Sequence, residues 1–238
     1  MIRVTIYNEY IHEKSEENAK SVYPDGIHSV IKDFLDADGR FIVKTVTLDM
    51  PEHGLTEQVL SETDVLIWWG HIAHDKVSDE VVDRVHKRIL AGMGLVVLHS
   101  GHYSKIFQRI NGTTCNLRWR ESGDEMIIWN TTPSHPIAEG LPAHFSLSHE
   151  ETYGEYFDIS KPDDVVFTSW FSGGEVFRCG CTFTRGMGKI FYFSPGHETF
   201  PSYYDKNIQR VIKNACVWTS QAHGPEPMLD HRHAVVGK

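Results

Sequence analysis

Two stretches, "DVLIWWG" (64–70) and "GLVVLHS" (94–100), constrain the fold more than any other feature of the chain. Each is a nearly unbroken apolar run of strand length, the pattern of a strand covered on both faces. Each leads into a helical pattern. Ser78, Asp79 and Glu80 open one, with Val82, Val85 and Ile89 on its inner face and Gly92 or Gly94 at its end. Ile106, Phe107 and Ile110 mark the next. Before them, "IRVTIY" (2–7) and "FIVKTVTL" (41–48) are β-branched and alternating, with Ile27, Val30, Ile31 and Phe34 at helical spacing between them. Strand–helix alternation over the first 110 residues predicts a parallel α/β sheet with helices on both faces. From about 125 to 194 the pattern changes to short strands: "EMIIWN", "HFSLSH", "DVVFTSWF", "EVFRCGCTF" and "GKIFYFS". Ser172-Gly173-Gly174 and Arg185-Gly186-Met187-Gly188 read as hairpin turns, so an antiparallel addition is predicted there. Asp205 to Trp218 closes the chain with an amphipathic helix. Residues 1–219 are read as one domain and 220–238, with Gly224-Pro225-Glu226-Pro227, as an extended C-terminal arm.

The formal net charge of −9 and the lack of a concentrated basic face argue against a nucleic-acid partner. No run approaches the roughly 20 apolar residues of a membrane span, and "MIRVTIYNEY" lacks a secretory pattern, so no membrane partner and a cytoplasmic location are expected. Cys115, Cys179, Cys181 and Cys216 are too few and scattered for a disulfide framework and read as small core residues. Six tryptophans, the arm and segments such as "SWF" predict a homo-oligomer.

Histidine, at 15, is the unusual entry in the composition. In open parallel α/β sheets ligands bind beyond the carboxyl ends of the strands. Those ends carry Asn8, Glu9, Tyr10 and His12; Gly70, His71 and, three residues on, His74; His99, Ser100 and His102; and Gly196, His197 and Glu198. Histidine is the commonest metal ligand and titrates near neutrality, so several of these converging suggests a site. His71-x-x-His74 would suit a pair on one helical face. His53, His86, His223, His231 and His233 are assigned to solvent. "SHEETYGEYF" (148–157) brings Glu150 and Glu151 close to a histidine and two tyrosines, a mixture suited to binding hydroxyls, although an exposed acidic strand fits equally. "LRWRE" (117–121) could stack on a sugar ring or hold an anion; Arg packing on Trp is as good a reading.

"LHSGH" resembles the nucleophile elbow of the class I glutamine amidotransferases, with Gly101-His102 matching its Gly-His and His99 where the cysteine belongs. Without that cysteine, thiolate chemistry on glutamine is not expected. A closer resemblance spans nearly the whole chain. "RVTIYNEYIHEK", "YPDGIHSVI", "PEHGLTEQVLSETDVLIWWGHIAHDKVSDEVVDRV", "GLVVLHSGHYSKIF" and "GKIFYFSPGHETFPSYY" are similar to the trehalose-utilisation, ThuA-like family. That resemblance implies a flavodoxin-like, amidotransferase-like sheet and a place in bacterial disaccharide catabolism, often beside oxidation of the sugar to a keto form. It points to Glu9, His12, His71, His99, Ser100, Glu151, Tyr153 and His197.

The expected roles follow. His99, Ser100, Glu151 and His197 are catalytic; Glu9, His12 and Tyr153 bind substrate; His71, His102 and His197 hold a divalent metal, zinc by ligand type, with His102 in the first turn of the following helix, turned inward as a ligand or outward as a support. No nucleotide cofactor is expected. The leading reading is a hydrolase or isomerase acting on a small-molecule carbohydrate, either metal-assisted or by acid–base chemistry through Glu151 and a histidine. The alternative is a non-catalytic sugar-binding or regulatory module on the same fold.

Overall fold

The two apolar runs become neighbouring strands inside one mixed sheet. The structure, a computed structural model, describes residues 1–220. Its strands are β1 (Ile2–Asn8), β2 (Phe41–Thr47), β3 (Val65–Trp69), β4 (Gly94–Leu98), β5 (Arg118–Asn130), β6 (His144–Gly154), β7 (Asp164–Phe171), β8 (Val176–Arg185) and β9 (Gly188–Phe193). They lie in the order β2-β1-β3-β4-β9-β8-β7-β5-β6. The five from β2 to β9 are parallel; from β9 outward every pairing is antiparallel. All residues of β3 and β4 are buried, as expected for strands with helices on both faces.

The helices are α1 (His12–Ser15), α2 (Glu17–Val22), α3 (Ile27–Asp36), α4 (Glu57–Ser61), α5 (Asp79–Leu90), α6 (Lys105–Asn111) and α7 (Lys206–Thr219). α3 packs with α7, and α5 packs with α4 and α6. Ser78 caps α5 by accepting the Val81 N–H at 3.4 Å, and Asp205 caps α7 by accepting those of Asn207 and Ile208 at 2.8 and 3.0 Å. Among the described residues no helix is long and apolar enough to cross a membrane.

Several expectations need correction. Gly94 opens β4 instead of closing α5. The polar stretch 12–22 forms α1 and α2, which show no apolar period in sequence. β5 begins at Arg118, not at Glu125, so "LRWRE" is strand. His53 is not a solvent residue: its Nδ1 lies 2.7 Å from the Leu48 carbonyl and its Nε2 accepts the Ser78 N–H, tying two loops together. The expected arm, with His223, His231 and His233, lies outside the described residues apart from Ser220.

Register explains how the parallel half gathers its strand ends. Thr47, Asn8, Trp69, Leu98 and Phe193 pair in one row across the five strands. Whatever follows β1, β3, β4 and β9 therefore emerges at one level. β6 reaches the same place from the far edge of the sheet. Irregular pairing between Arg120 and Met126 bends the β5–β6 hairpin, and Tyr153 packs on Phe177 of β8 with ring centroids 5.6 Å apart.

The loop after β9 depends on Gly196, whose φ is +126° and whose absent Cβ would stand 2.1 Å from the Tyr203 hydroxyl. Tyr203 is fully buried and cannot retreat. Gly196→Ala is expected to lower unfolding free energy by about 2 kcal/mol through strain and overpacking, read as a shifted urea midpoint. A midpoint unchanged from wild type would show that the loop relaxes freely.

Candidate functional site

Two buried carboxylates hold the loops that carry the histidines. Glu9, at the end of β1, accepts the N–H groups of His71 and Ala73 at Oε2, both at 2.9 Å, and that of Ile72 at Oε1 at 3.0 Å. Glu150, on β6, accepts the Gly196 N–H (2.9 Å) and the Ser202 hydroxyl (2.6 Å) at Oε2. Its Oε1 accepts the N–H groups of Glu151 (3.0 Å) and His197 (3.2 Å). Burial pushes the Glu150 carboxyl above its ordinary value, while His99 and these donors pull against that rise.

Between the clasped loops, His71, His99, His197 and Glu151 each present a ligand atom, and all four atoms lie within 4.8 Å of one another. Three of these residues are buried and His71 is half-buried. A second group, His12, His71 and Glu198, shares His71. Glu198 Oε1 stands 2.6 Å from His12 Nδ1 and 3.1 Å from His71 Nδ1.

His99 occupies the first position after β4 with φ +50°, in the left-handed region that bulky residues avoid. Its Nδ1 lies 3.0 Å from the Ser194 carbonyl, which can only accept, so that nitrogen carries a proton. Its Nε2 therefore faces Glu151 Oε2 at 3.1 Å. Burial opposes a charged His99, but the Glu151 bond and the Glu151, Glu150 and Glu198 charges outweigh it and lift the imidazole to about 9. Glu151 is held below its ordinary value: burial works against this, and the His99 bond and charge overcome it. Burial, then repulsion from His99, takes His197 down to about 4. Burial would also raise Glu198, yet its bonds to His12 and His71 hold it well below the carboxylate range.

The residues fit a cation. His197 Nε2 and Glu198 Oε2 are buried without a hydrogen-bond partner among the described residues, although native proteins pair most such atoms, and Glu151 Oε2 faces His99 Nε2 at 3.1 Å. Over the group opens a cavity of about 770 Å³, bordered by His12, Ser100, Tyr153 and Glu198 at depth and by Trp119 and Phe200 further out.

The sequence pattern that defines the ThuA family, described as trehalose utilisation, matches residues 3–219. The chain belongs to the ThuA family. A protein assigned as ThuA-like from Parabacteroides merdae is 18% identical, with 92% of this chain and 90% of that one covered at a TM-score of 0.66. Another assigned as ThuA-like, from Bacteroides uniformis, is 17% identical, with coverage of 92% and 91% and a TM-score of 0.67. A cytoplasmic protein from Salmonella typhimurium is 13% identical, with coverage of 92% and 100% and a TM-score of 0.62. At these identities the likeness is one of fold. No curated protein matches the chain in sequence.

In this ThuA-family chain the strand-end residues of the sequence do meet, but in different parts. His71, His99, Glu151 and His197 form the core of the group. Ser100 Oγ is 2.8 Å from Tyr153 OH, which lies 3.5 Å from His99 Nε2. His12 borders the cavity through its pair with Glu198. Glu9 faces backbone N–H groups, so its carboxylate holds a loop where a substrate contact was expected. His74 is half-buried, its Nε2 without a partner among the described residues, and it stands outside both groups on a short turn of its own. Arg120 is engaged bidentately by Glu175 at 3.0 and 2.9 Å. Two functions escaped the sequence reading: Glu150 as a clasp and Glu198 as the partner of two imidazoles. For Glu198 the signal was its place beside His197.

His102 also departs from expectation. It lies in a 3-10 turn, His99–Tyr103, and not in the first turn of α6, which Ser104 caps by accepting the Phe107 N–H at 3.3 Å. The turn sends the ring away from the other imidazoles: Nδ1 lies 2.8 Å from the Cys115 carbonyl, and Tyr153 and Phe157 pack edge-on at 5.6 and 5.8 Å. His102 is in neither cation-capable group. Burial lowers it to about 3, so it stays neutral when folded. The unfolded chain takes up a proton below about 6.5 that the folded chain refuses, so stability is full above that pH and falls as pH drops towards 3. The expected loss from His102 is about 2 kcal/mol between pH 7.5 and pH 5. His102→Phe should shrink the difference in urea midpoint between those pH values; an unchanged difference would remove His102 from the acid limb.

Proposed function

We propose that this ThuA-family chain is an enzyme of disaccharide catabolism, acting on a disaccharide or its keto derivative at a divalent-ion site. The observation that carries the proposal is the convergence of His71, His99, His197 and Glu151 from four strands on one point, with His197 Nε2 unpartnered among the described residues. Nitrogen and oxygen donors in that number suit zinc. The Ser194 carbonyl on His99 Nδ1 and the Glu198 carboxylate on His71 Nδ1 are the supports by which proteins orient ligating imidazoles. When bound, the ion would supply Lewis-acid polarisation of a sugar oxygen. The Ser100–Tyr153 hydroxyl pair beside it exchanges hydrogen bonds with sugar hydroxyls. His12, whose imidazole the Glu198 hydrogen bond holds above its ordinary value at the cavity wall, moves a proton to or from the substrate.

The 3.1 Å contact between His99 Nε2 and Glu151 Oε2 favours a second reading, in which this pair serves as acid and base without an ion. Elemental analysis of protein purified without chelator or a nickel column tests the first. About one zinc per chain supports it, and metal at trace levels leaves the acid–base reading, which predicts turnover insensitive to chelators. Saturable sugar binding with no turnover in either state would make the chain a binding module.

An amidotransferase-like, flavodoxin-type ancestry belongs to the same proposal, without its chemistry. His99 stands at the elbow, and all four cysteines are buried, which pushes the Cys115 thiol up to about 11 and Cys181 up to about 12. A cytoplasmic homo-oligomer is proposed as well. Trp129 and Trp170, on the paired strands β5 and β7, are 47% and 40% exposed, an apolar strip that a second copy would cover. Sedimentation at micromolar concentration should show more than a monomer.

A further inference from the structure

We infer that Trp119 is the platform for a second sugar ring, so that the pocket is built for a disaccharide and not for one hexose. This rests on the carbohydrate reading above and adds a subsite to it. The β5–β6 register pairs Trp119 directly with Tyr153. Side chains opposite each other in an antiparallel pair lie on the same face, with Cβ atoms about 4.5–5.5 Å apart. Tyr153 reaches inward to His99, at 3.5 Å. The indole therefore stands beside Tyr153 on the neighbouring strand, and both border the same cavity.

Trp119 is 63% exposed, whereas Trp68 and Trp69 are fully buried, and no ring among the described residues stacks on it. An open indole face at a cavity mouth is a surface for an amphipathic ligand. The C–H face of a pyranose offers one, and its hydroxyls point to the sides. Asn18, Asn116 and Glu121 border the same cavity and can take those hydroxyls. Phe200, whose ring lies 3.6 Å from where a Cβ on Gly123 would stand, borders the same cavity and adds a second aromatic ring to its lining. β5 is fixed at this level by the two Arg120–Glu175 hydrogen bonds. The cavity, about 770 Å³, lies in the upper part of the roughly 300–1,000 Å³ of ligand pockets, with room beyond a first ring bound at the histidines.

The test is calorimetric titration of the full chain with trehalose and with methyl α-glucoside, in wild type, Trp119→Ala and Trp119→Phe. Trp119→Ala should weaken trehalose about tenfold and leave the monoglucoside within about twofold, and Trp119→Phe should recover most of the loss. Thermal unfolding of both variants should match wild type, because the indole is exposed. Equal weakening of both sugars, or trehalose affinity within about twofold of wild type in Trp119→Ala, overturns the subsite while the carbohydrate reading stands. Wild type that binds neither sugar overturns that reading and the subsite with it.

Discussion

His197→Ala and His71→Ala are each expected to abolish stoichiometric zinc and to lower sugar-dependent turnover by at least about 100-fold, with the fold intact. Losing a support around a metal already costs about 10–100-fold, and these variants remove a ligand itself. His197 contributes little to the fold, because among the described residues its ring hydrogen-bonds only the neighbouring Thr199. The loop it sits on is held by its backbone N–H on Glu150, which alanine keeps. His71 likewise leaves its N–H on Glu9. Its loss is the more severe because it belongs to both cation-capable groups. Glu198→Gln should be milder, about 10–100-fold in zinc affinity, since it weakens the contacts to His12 and His71 without removing a donor of the core group. The readings are zinc per chain after dialysis, turnover, and circular dichroism. Full zinc retention in both alanine variants would remove the metal proposal.

The parallel half of the sheet was legible because its signals are local. Apolar runs, Ser78 and Asp205 caps and Gly-containing turns each act within a few residues of themselves. The site was legible as far as topology dictates it: β1, β3, β4 and β9 end in one register row, so histidines after those strands must meet. What escaped depends on where a side chain turns once it arrives. Glu9 and His71 were both strand-end residues, yet one faces three N–H groups and the other faces imidazoles. His102 sits three residues from His99, and a 3-10 turn in place of a helix start sends it among aromatic rings. Glu151 was suggested by family resemblance and by its neighbours alone. Nothing in its own segment states that β6, at the sheet's edge, bends back over β8 through an irregular hairpin. "LRWRE" was ambiguous for the same reason: only the pairing of Trp119 with Tyr153 decides which way the indole faces.

Glu150 should prove the most consequential single residue for stability, and glutamine should recover only part of what alanine loses. Four donors converge on its carboxylate: three backbone N–H groups and the Ser202 hydroxyl, two to each oxygen. Three of these partners, the backbone N–H groups, can only donate, so both carboxyl oxygens serve as acceptors. Alanine leaves all four donors buried and unpaired, at about 1–3 kcal/mol each before relaxation, so a total loss of roughly 4 kcal/mol or more is expected. Glutamine keeps the volume and one oxygen, but its NH2 must face at least one backbone N–H, so a loss of about 2 kcal/mol remains. Because His197 and Gly196 hang on the same carboxylate, either variant should also disorder the β9 loop before the chain unfolds globally. Hydrogen exchange at Gly196 and His197 should rise in Glu150→Gln while the amides of β3 and β4 stay protected. If Glu150→Gln unfolds within about 0.5 kcal/mol of wild type in urea, the carboxylate is carried protonated and the clasp is weaker than its four contacts imply.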